Sequence, residues 1–146
     1  MNNKDNHYNL LAFSFSQGFI SPNIPIATFH QGDIELNFII DTGSDNNVID
    51  CSILDKVEHT KTSNTTTLTG LGGTQTVSSC IISFNNNDEK FSAEFLISDL
   101  KEAFGQIKAC HAIPLHGMLG SRFLMKNNIV LDFNSLTAYS KNDNKR

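Results

Sequence analysis

Phe38-Ile39-Ile40 runs directly into Asp41-Thr42-Gly43-Ser44, and apolar character returns at Val48-Ile49. Three consecutive large apolar residues demand burial, whereas a carboxylate resists it unless hydrogen bonds hold it or water reaches it. The segment therefore predicts a buried strand that delivers an acid into a polar turn. Gly43 permits backbone geometry and a close approach that a side chain would block. Thr42 and Ser44 place hydroxyls beside the acid, where they can bond to it. Taken alone, Asp-Thr-Gly-Ser is equally an ordinary turn, since all four residue types favour turns.

The surrounding pattern is that of a mostly β chain. Eleven Phe, no Trp and many Val, Ile and Thr favour strands. Residues 8–15 alternate well enough for a strand, and 24–30 and 34–40 read as two strands around a turn at Gln31-Gly32-Asp33. Asp50 with Ile53, Leu54 and Val57 predicts a short capped helix. Residues 58–67 are polar and read as a loop. Residues 65–71 and 74–82 flank Gly72-Gly73 as a hairpin with a glycine tip, and 80–84 and 91–97 flank Asn85-Asn86-Asn87-Asp88 as another. Asp99 with Glu102 resembles a capping box, followed by Leu100, Ala103, Phe104 and Ile107 at helical spacing. Gly117-Met118-Leu119-Gly120, a short amphipathic segment through Lys126 and a final strand at 129–133 complete the reading. A chain of 146 residues fits one domain across 1–146, with a core of about 8–140 and polar, frayed tails at 1–7 and 142–146.

Composition excludes several function classes. The formal charge of −4, with Lys and Arg scattered, offers no basic face for nucleic acid. No apolar run approaches the roughly 18–20 residues a membrane span needs. Cys51, Cys80 and Cys110 form no closed disulfide set and no C-x-x-C pair, which points to a reducing, cytoplasmic compartment. Cys110-His111 and His116 fall short of the four ligands structural zinc takes. Their plainer reading is a buried Cys and surface His, so no metal is expected. Residues 70–73 lack the Lys-Ser/Thr of a phosphate loop, and no cofactor is implied.

Three segments, in order, resemble the retropepsin-like aspartic peptidases, the family of retroviral proteases and their cellular and bacterial relatives. The first is the stretch from Phe38 through Asp41-Thr42-Gly43-Ser44-Asp45 to Ile49. The second is the glycine-rich hairpin Thr69-Gly70-Leu71-Gly72-Gly73-Thr74, where the family has its flap. The third is Gly117-Met118-Leu119-Gly120 with Phe123-Leu124 and Ile129-Val130-Leu131-Asp132-Phe133, matching an apolar-apolar-Gly element, a helix and a closing strand. The resemblance spans about 24–139 and implies one acid-protease lobe per chain with two or three short helices. A lone Asp-Thr-Gly in a chain of this length implies a homodimer, each copy giving one Asp41 to an endopeptidase site for peptide or protein substrates.

The resemblance also implies roles. Asp41, Thr42 and Gly43 would be catalytic, with Thr42 bonding across the dimer axis. Ser44 would contact the outer oxygen of Asp41, favouring its ionised form and an acidic optimum. Gly43 and Asp45 would meet the peptide backbone, and Gly70, Leu71, Gly72 and Gly73 would close over it. Groove-lining candidates are Ile39, Val48, Leu71, Ile113, Leu115 and Leu119. Three departures from the retroviral pattern stand out. Ser121 precedes Arg122 where an Arg should follow the glycine directly. Residues 99–116 read as a helical insertion, and interleaving terminal strands are replaced by 8–20 or 137–141. The rival from another class is a non-catalytic dimeric peptide-binding or scaffold module of the same fold. The intact Asp41, Thr42 and Gly43 favour the enzyme.

Overall fold

A computed structural model describes residues 9–19, 24–70, 73–87, 89–107 and 112–141. Ten strands and two short helices follow one another along it. The strands are β1 (Asn9–Ser14), β2 (Ile26–Gln31), β3 (Ile34–Ile40), β4 (Asn47–Asp50), β5 (Thr60–Gly70), β6 (Gly73–Asn86) and β7 (Glu89–Ser98). After helix α1 (Lys101–Gly105) come β8 (Gly117–Leu119), helix α2 (Ser121–Lys126), β9 (Ile129–Asp132) and β10 (Thr137–Lys141). The fold is mostly β, as the residue pattern predicts.

Seven strands form one sheet in the order β2-β3-β8-β4-β7-β6-β5, and a pairing of His30 with Asn85 joins β2 to β6 so that it curls into a barrel-like form. The decisive feature is β8, which runs parallel to β3 and antiparallel to β4, between two strands joined by one short loop. Only a glycine fits at Gly117: a β-carbon there would lie 2.4 Å from the carbonyl oxygen of Val48 and 3.2 Å from the ring of Phe38.

Strand side chains alternate between faces, and here both faces are apolar. One face carries Leu36, Phe38, Ile40, Ile49, Phe95 and Leu119 into the main core. Phe29, Phe38, Phe84, Phe91, Phe95 and Phe123 pack there with neighbouring ring centroids 5.0–5.9 Å apart. The other face carries Ile39, Val48, Leu96 and Val77 into a second cluster, completed by Leu100, Phe104 and Leu115. β6 serves both layers, sending Val77 one way and Cys80, Ile82 and Phe84 the other.

Three segments differ from the sequence-based expectation. Residues 58–67, expected as loop, hold most of β5, which pairs with β6 from Thr60 onward with a register shift between Lys61 and Thr65. The strand at 129–133 is not the last, because β10 follows it. β10 pairs with both β9 and β1, so the two candidate terminal strands lie side by side within one chain. The helix expected after Asp50 is a single 3-10 turn, Cys51–Ile53, and Asp50 does not cap it. The N-cap of α1 is Leu100 and not the expected Asp99, although Asp99 accepts from the amide of Lys101 at 3.0 Å.

Phe38 is fully buried against Phe29, Phe84 and Phe95. Replacing Phe38 by Ala should cost about 3–5 kcal/mol through lost transfer energy and the cavity left behind. Urea unfolding checks this, with a lowered midpoint at unchanged slope.

Candidate active site

Asp41 is the first residue beyond β3. Its amide donates to the carbonyl of Leu119 at 2.9 Å, extending the β3–β8 ladder by one bond. The chain then turns sharply, with the amide of Ser44 donating to the carbonyl of Asp41 at 3.2 Å. Within that turn the amide of Gly43 donates to Oδ1 of Asp41 at 3.0 Å. The carboxylate is therefore fixed by its own loop and half-buried, while Thr42, Gly43 and Asp45 are exposed beside it. The acid expected at a polar turn is there.

The underside of the loop is held by the start of α2. The amides of Ser121 and Arg122 donate to the carbonyls of Ser44 (2.7 Å) and Asp45 (3.3 Å). The loop carbonyls thus satisfy helix amides that have no partner inside the helix. Gly120 sits so close that a β-carbon would lie 2.5 Å from the carbonyl oxygen of Asn46 and 2.6 Å from that of Ser44. Asn47, which the sequence reading passed over, completes the clamp. Its Oδ1 accepts from the amide of Gly120 at 2.8 Å and its Nδ2 donates to the carbonyl of Glu94 at 3.0 Å. The only signal for it was an amide residue standing between a turn and an apolar strand.

One expected contact is absent. The Ser44 hydroxyl donates to the carbonyl of Asn46 at 3.1 Å and not to Asp41. A short side chain answers the nearest acceptor two residues on, so the loop is braced internally and the argument from Ser44 to an acidic optimum falls. Asp45 Oδ1 lies 3.5 Å from the hydroxyl of Ser121, the residue standing where the retroviral pattern has Arg.

The hairpin β5–β6 reaches over the second apolar face, where Leu68 and Val77 join Ile39, Val48 and Met118. Its last described pair is Gly70 with Gly73. Leu71 and Gly72 lie outside the described residues. Of the groove-lining candidates, Ile39, Val48, Ile113 and Leu115 share that face, whereas Leu119 is fully buried in the main core on the opposite side.

His116, expected at the surface, is half-buried and structural. Its amide donates to the carbonyl of Asn37 (2.9 Å), its carbonyl accepts from Asp50 (2.8 Å), and its Nδ1 accepts from the amide of Asn37 (2.9 Å). Asn37 is itself buried, accepting from the Thr28 hydroxyl at 2.6 Å and donating to the carbonyl of Pro114 at 2.8 Å. Burial lowers the pKa of His116, with Glu35 and Asp50 opposing and Lys56 assisting. The Cys80 thiol is pushed up to about 11, first by burial, which Lys61 offsets and Glu94 reinforces. That thiol is inert beside the exposed Cys51.

For a metal, the described residues offer one group, Asp50, Cys51 and Asp99. Both oxygens of Asp50 are already engaged, by the hydroxyl of Ser52 (2.6 Å) and the amide of Leu100 (3.0 Å). Cys110 and His111 lie outside the described residues. Among those residues, no helix is long and apolar enough to cross a membrane. No protein-family model and no curated protein matches the chain, so the site is read from its own geometry.

Two outcomes follow. Asn47→Ala strands the buried Gly120 amide and should cost about 1–3 kcal/mol for that unpaired group, read from the urea midpoint. His116 is favoured neutral in the folded chain, so the unfolded chain binds more protons between its lowered value and the ordinary 6.5. Its stabilisation is complete above about pH 6.5 and is lost as pH falls towards the lowered value. The urea midpoint should therefore drop across that window, and His116→Gln should flatten it. Equal midpoints in wild type above and below the window contradict this.

Proposed function

We propose that the protein is an aspartic endopeptidase of the retropepsin-like kind, active as a homodimer that pairs two Asp41 carboxyls. The observation that carries this reading is the setting of Asp41. It is fixed at 3.0 Å by the Gly43 amide in a loop that β8 and α2 brace from below, next to an apolar face that the β5–β6 hairpin shares through Leu68 and Val77. Such bracing orients a carboxylate without burying it, which a reacting group needs and an ordinary turn does not.

One carboxyl cannot do both halves of peptide hydrolysis. The ionised member of a pair takes a proton from water as the water oxygen attacks the scissile carbonyl. The protonated member gives its proton to the carbonyl oxygen, forming a tetrahedral diol. Collapse breaks the C–N bond as a proton passes to the leaving nitrogen, releasing a free acid and a free amine. Two carboxyls at short range share one proton because both cannot ionise together. A chain with a single Asp-Thr-Gly supplies the second carboxyl by two-fold symmetry. Thr42, exposed beside the acid, is available to bond across that axis, and the hairpin tip to exclude water from the peptide. The chemistry needs only carboxyls and water.

The second apolar face, with Ile39, Val48 and Met118 next to the Asp41 loop, favours hydrophobic residues around the cleaved bond. A reducing compartment such as the cytoplasm suits a chain whose three cysteines form no closed set. The acidic balance speaks against nucleic acid as a partner.

The test is cleavage of a diverse peptide library from about pH 3 to 7, read by mass spectrometry, with Asp41→Asn beside wild type. The variant should fold and dimerise but lose at least about 10²–10⁴-fold in rate. A dimer that cleaves nothing at any pH is a peptide-binding module, and a chain that stays monomeric at high concentration cannot form the pair.

A further inference from the structure

A polar cavity of about 420 Å³ opens at the outer end of the Asp41 loop. Asp45, Asn46 and Asn47 form its inner edge, and Asn64, Thr65 and Thr66 at the base of the hairpin form its roof. Its lining also includes Leu96 of the second apolar cluster and Phe123 of the main core, so it lies where the two layers meet beside the loop. The register shift between Lys61 and Thr65 lies at the edge of this roof.

The pairing of its charged groups decides what the cavity can take. Two acids line it beside two cations, and both acids meet neutral hydrogen-bond donors. Glu94 accepts from the hydroxyl of Ser79 at 2.6 Å and from Nδ2 of Asn64 at 3.2 Å, bonds that hold its carboxyl below the ordinary range. Asp45 faces the hydroxyl of Ser121 at 3.5 Å. Two cations also line it, Arg122 and Lys126, four residues apart on one face of α2. Among the described residues neither has an acidic partner. A guanidinium presents a planar fork of donors that matches a carboxylate.

We propose that this cavity is a specificity subsite for an acidic side chain, Asp or Glu, lying a few residues from the scissile bond, with Arg122 as its main contact and Lys126 in support. The inference rests on the peptidase reading and deepens it by naming a substrate class: an apolar cleavage site flanked by acid. Two-fold symmetry supplies a second cavity on the other side of the bond, so acid is favoured on both flanks. Arg122 thereby gains a role that its offset from the glycine left without one, since its side chain turns to the cavity and only its amide serves the loop.

The experiment uses two fluorescent peptides with the same apolar centre, flanked by Glu or by Gln, and measures binding by anisotropy to the Asp41→Asn protein and cleavage by the wild type. The Glu peptide should bind about tenfold more tightly, and the advantage should shrink as salt rises. Arg122→Gln with Lys126→Gln should abolish the preference, and Arg122→Glu with Lys126→Glu should transfer it to a Lys-flanked peptide. Both positions are exposed, so the fold should tolerate these changes. Equal affinity for the two peptides, or a preference that survives both double variants, overturns the subsite. Cleavage without Glu preference leaves the peptidase standing and removes the subsite. Glu-selective binding without cleavage does the reverse, and failure to bind either peptide overturns both.

Discussion

Gly120 is the point on which the site depends. With the carbonyls of Asn46 and Ser44 at 2.5 and 2.6 Å from where a β-carbon would be, the loop and the helix meet backbone to backbone. That contact allows the amides of Gly120, Ser121 and Arg122 to reach Asn47, Ser44 and Asp45. Every one of these bonds joins the loop to residues more than seventy positions later in the chain. The carboxylate of Asp41 is thus positioned by the β8–α2 junction as much as by its own neighbours.

The same junction explains why the sheet has two apolar faces. β8 is only three residues long, yet it separates β3 from β4, sending Leu119 to the main core and Met118 to the other side. The main core, rich in Phe, supplies the bulk of the buried apolar surface. The second cluster is shallower and includes half-buried residues such as Leu68, Ile113 and Met118. A surface that is apolar but incompletely covered suits contact with an extended chain.

Much of this was legible from residue order. The apolar run before Asp41 and the turn at Gly32-Asp33 are local signals, and each produced the element it predicted, as did the pairing of the two strands around residues 70–73. The misses share a cause in strands held by backbone pairing rather than by buried apolar side chains. Residues 58–67 carry almost no apolar alternation because β5 lies at the sheet edge with most side chains exposed. Backbone bonds to β6 hold it, and those leave no mark on composition. Residues 137–141 read as a candidate terminal strand, but their pairing inside one chain was not readable, since the partners β1 and β9 lie at opposite ends of the chain. At the site, the acid was readable, whereas Asn47 and His116 were not. Their roles come from groups that only the folded sheet brings within bonding distance.

The insertion of β8 between β3 and β4 has a consequence for how the molecule assembles. The hairpins β2–β3, β5–β6 and β6–β7 join strands adjacent in sequence and close short loops, so they can form early. β8 pairs Phe38 with Gly117 and cannot settle until both of its neighbours are waiting for it. During synthesis, a chain that has emerged only as far as β7 already holds most of its sheet but has no brace beneath Asp41. The loop acquires its working shape only when residues 117–122 arrive, which delays the site until nearly the whole described chain is made.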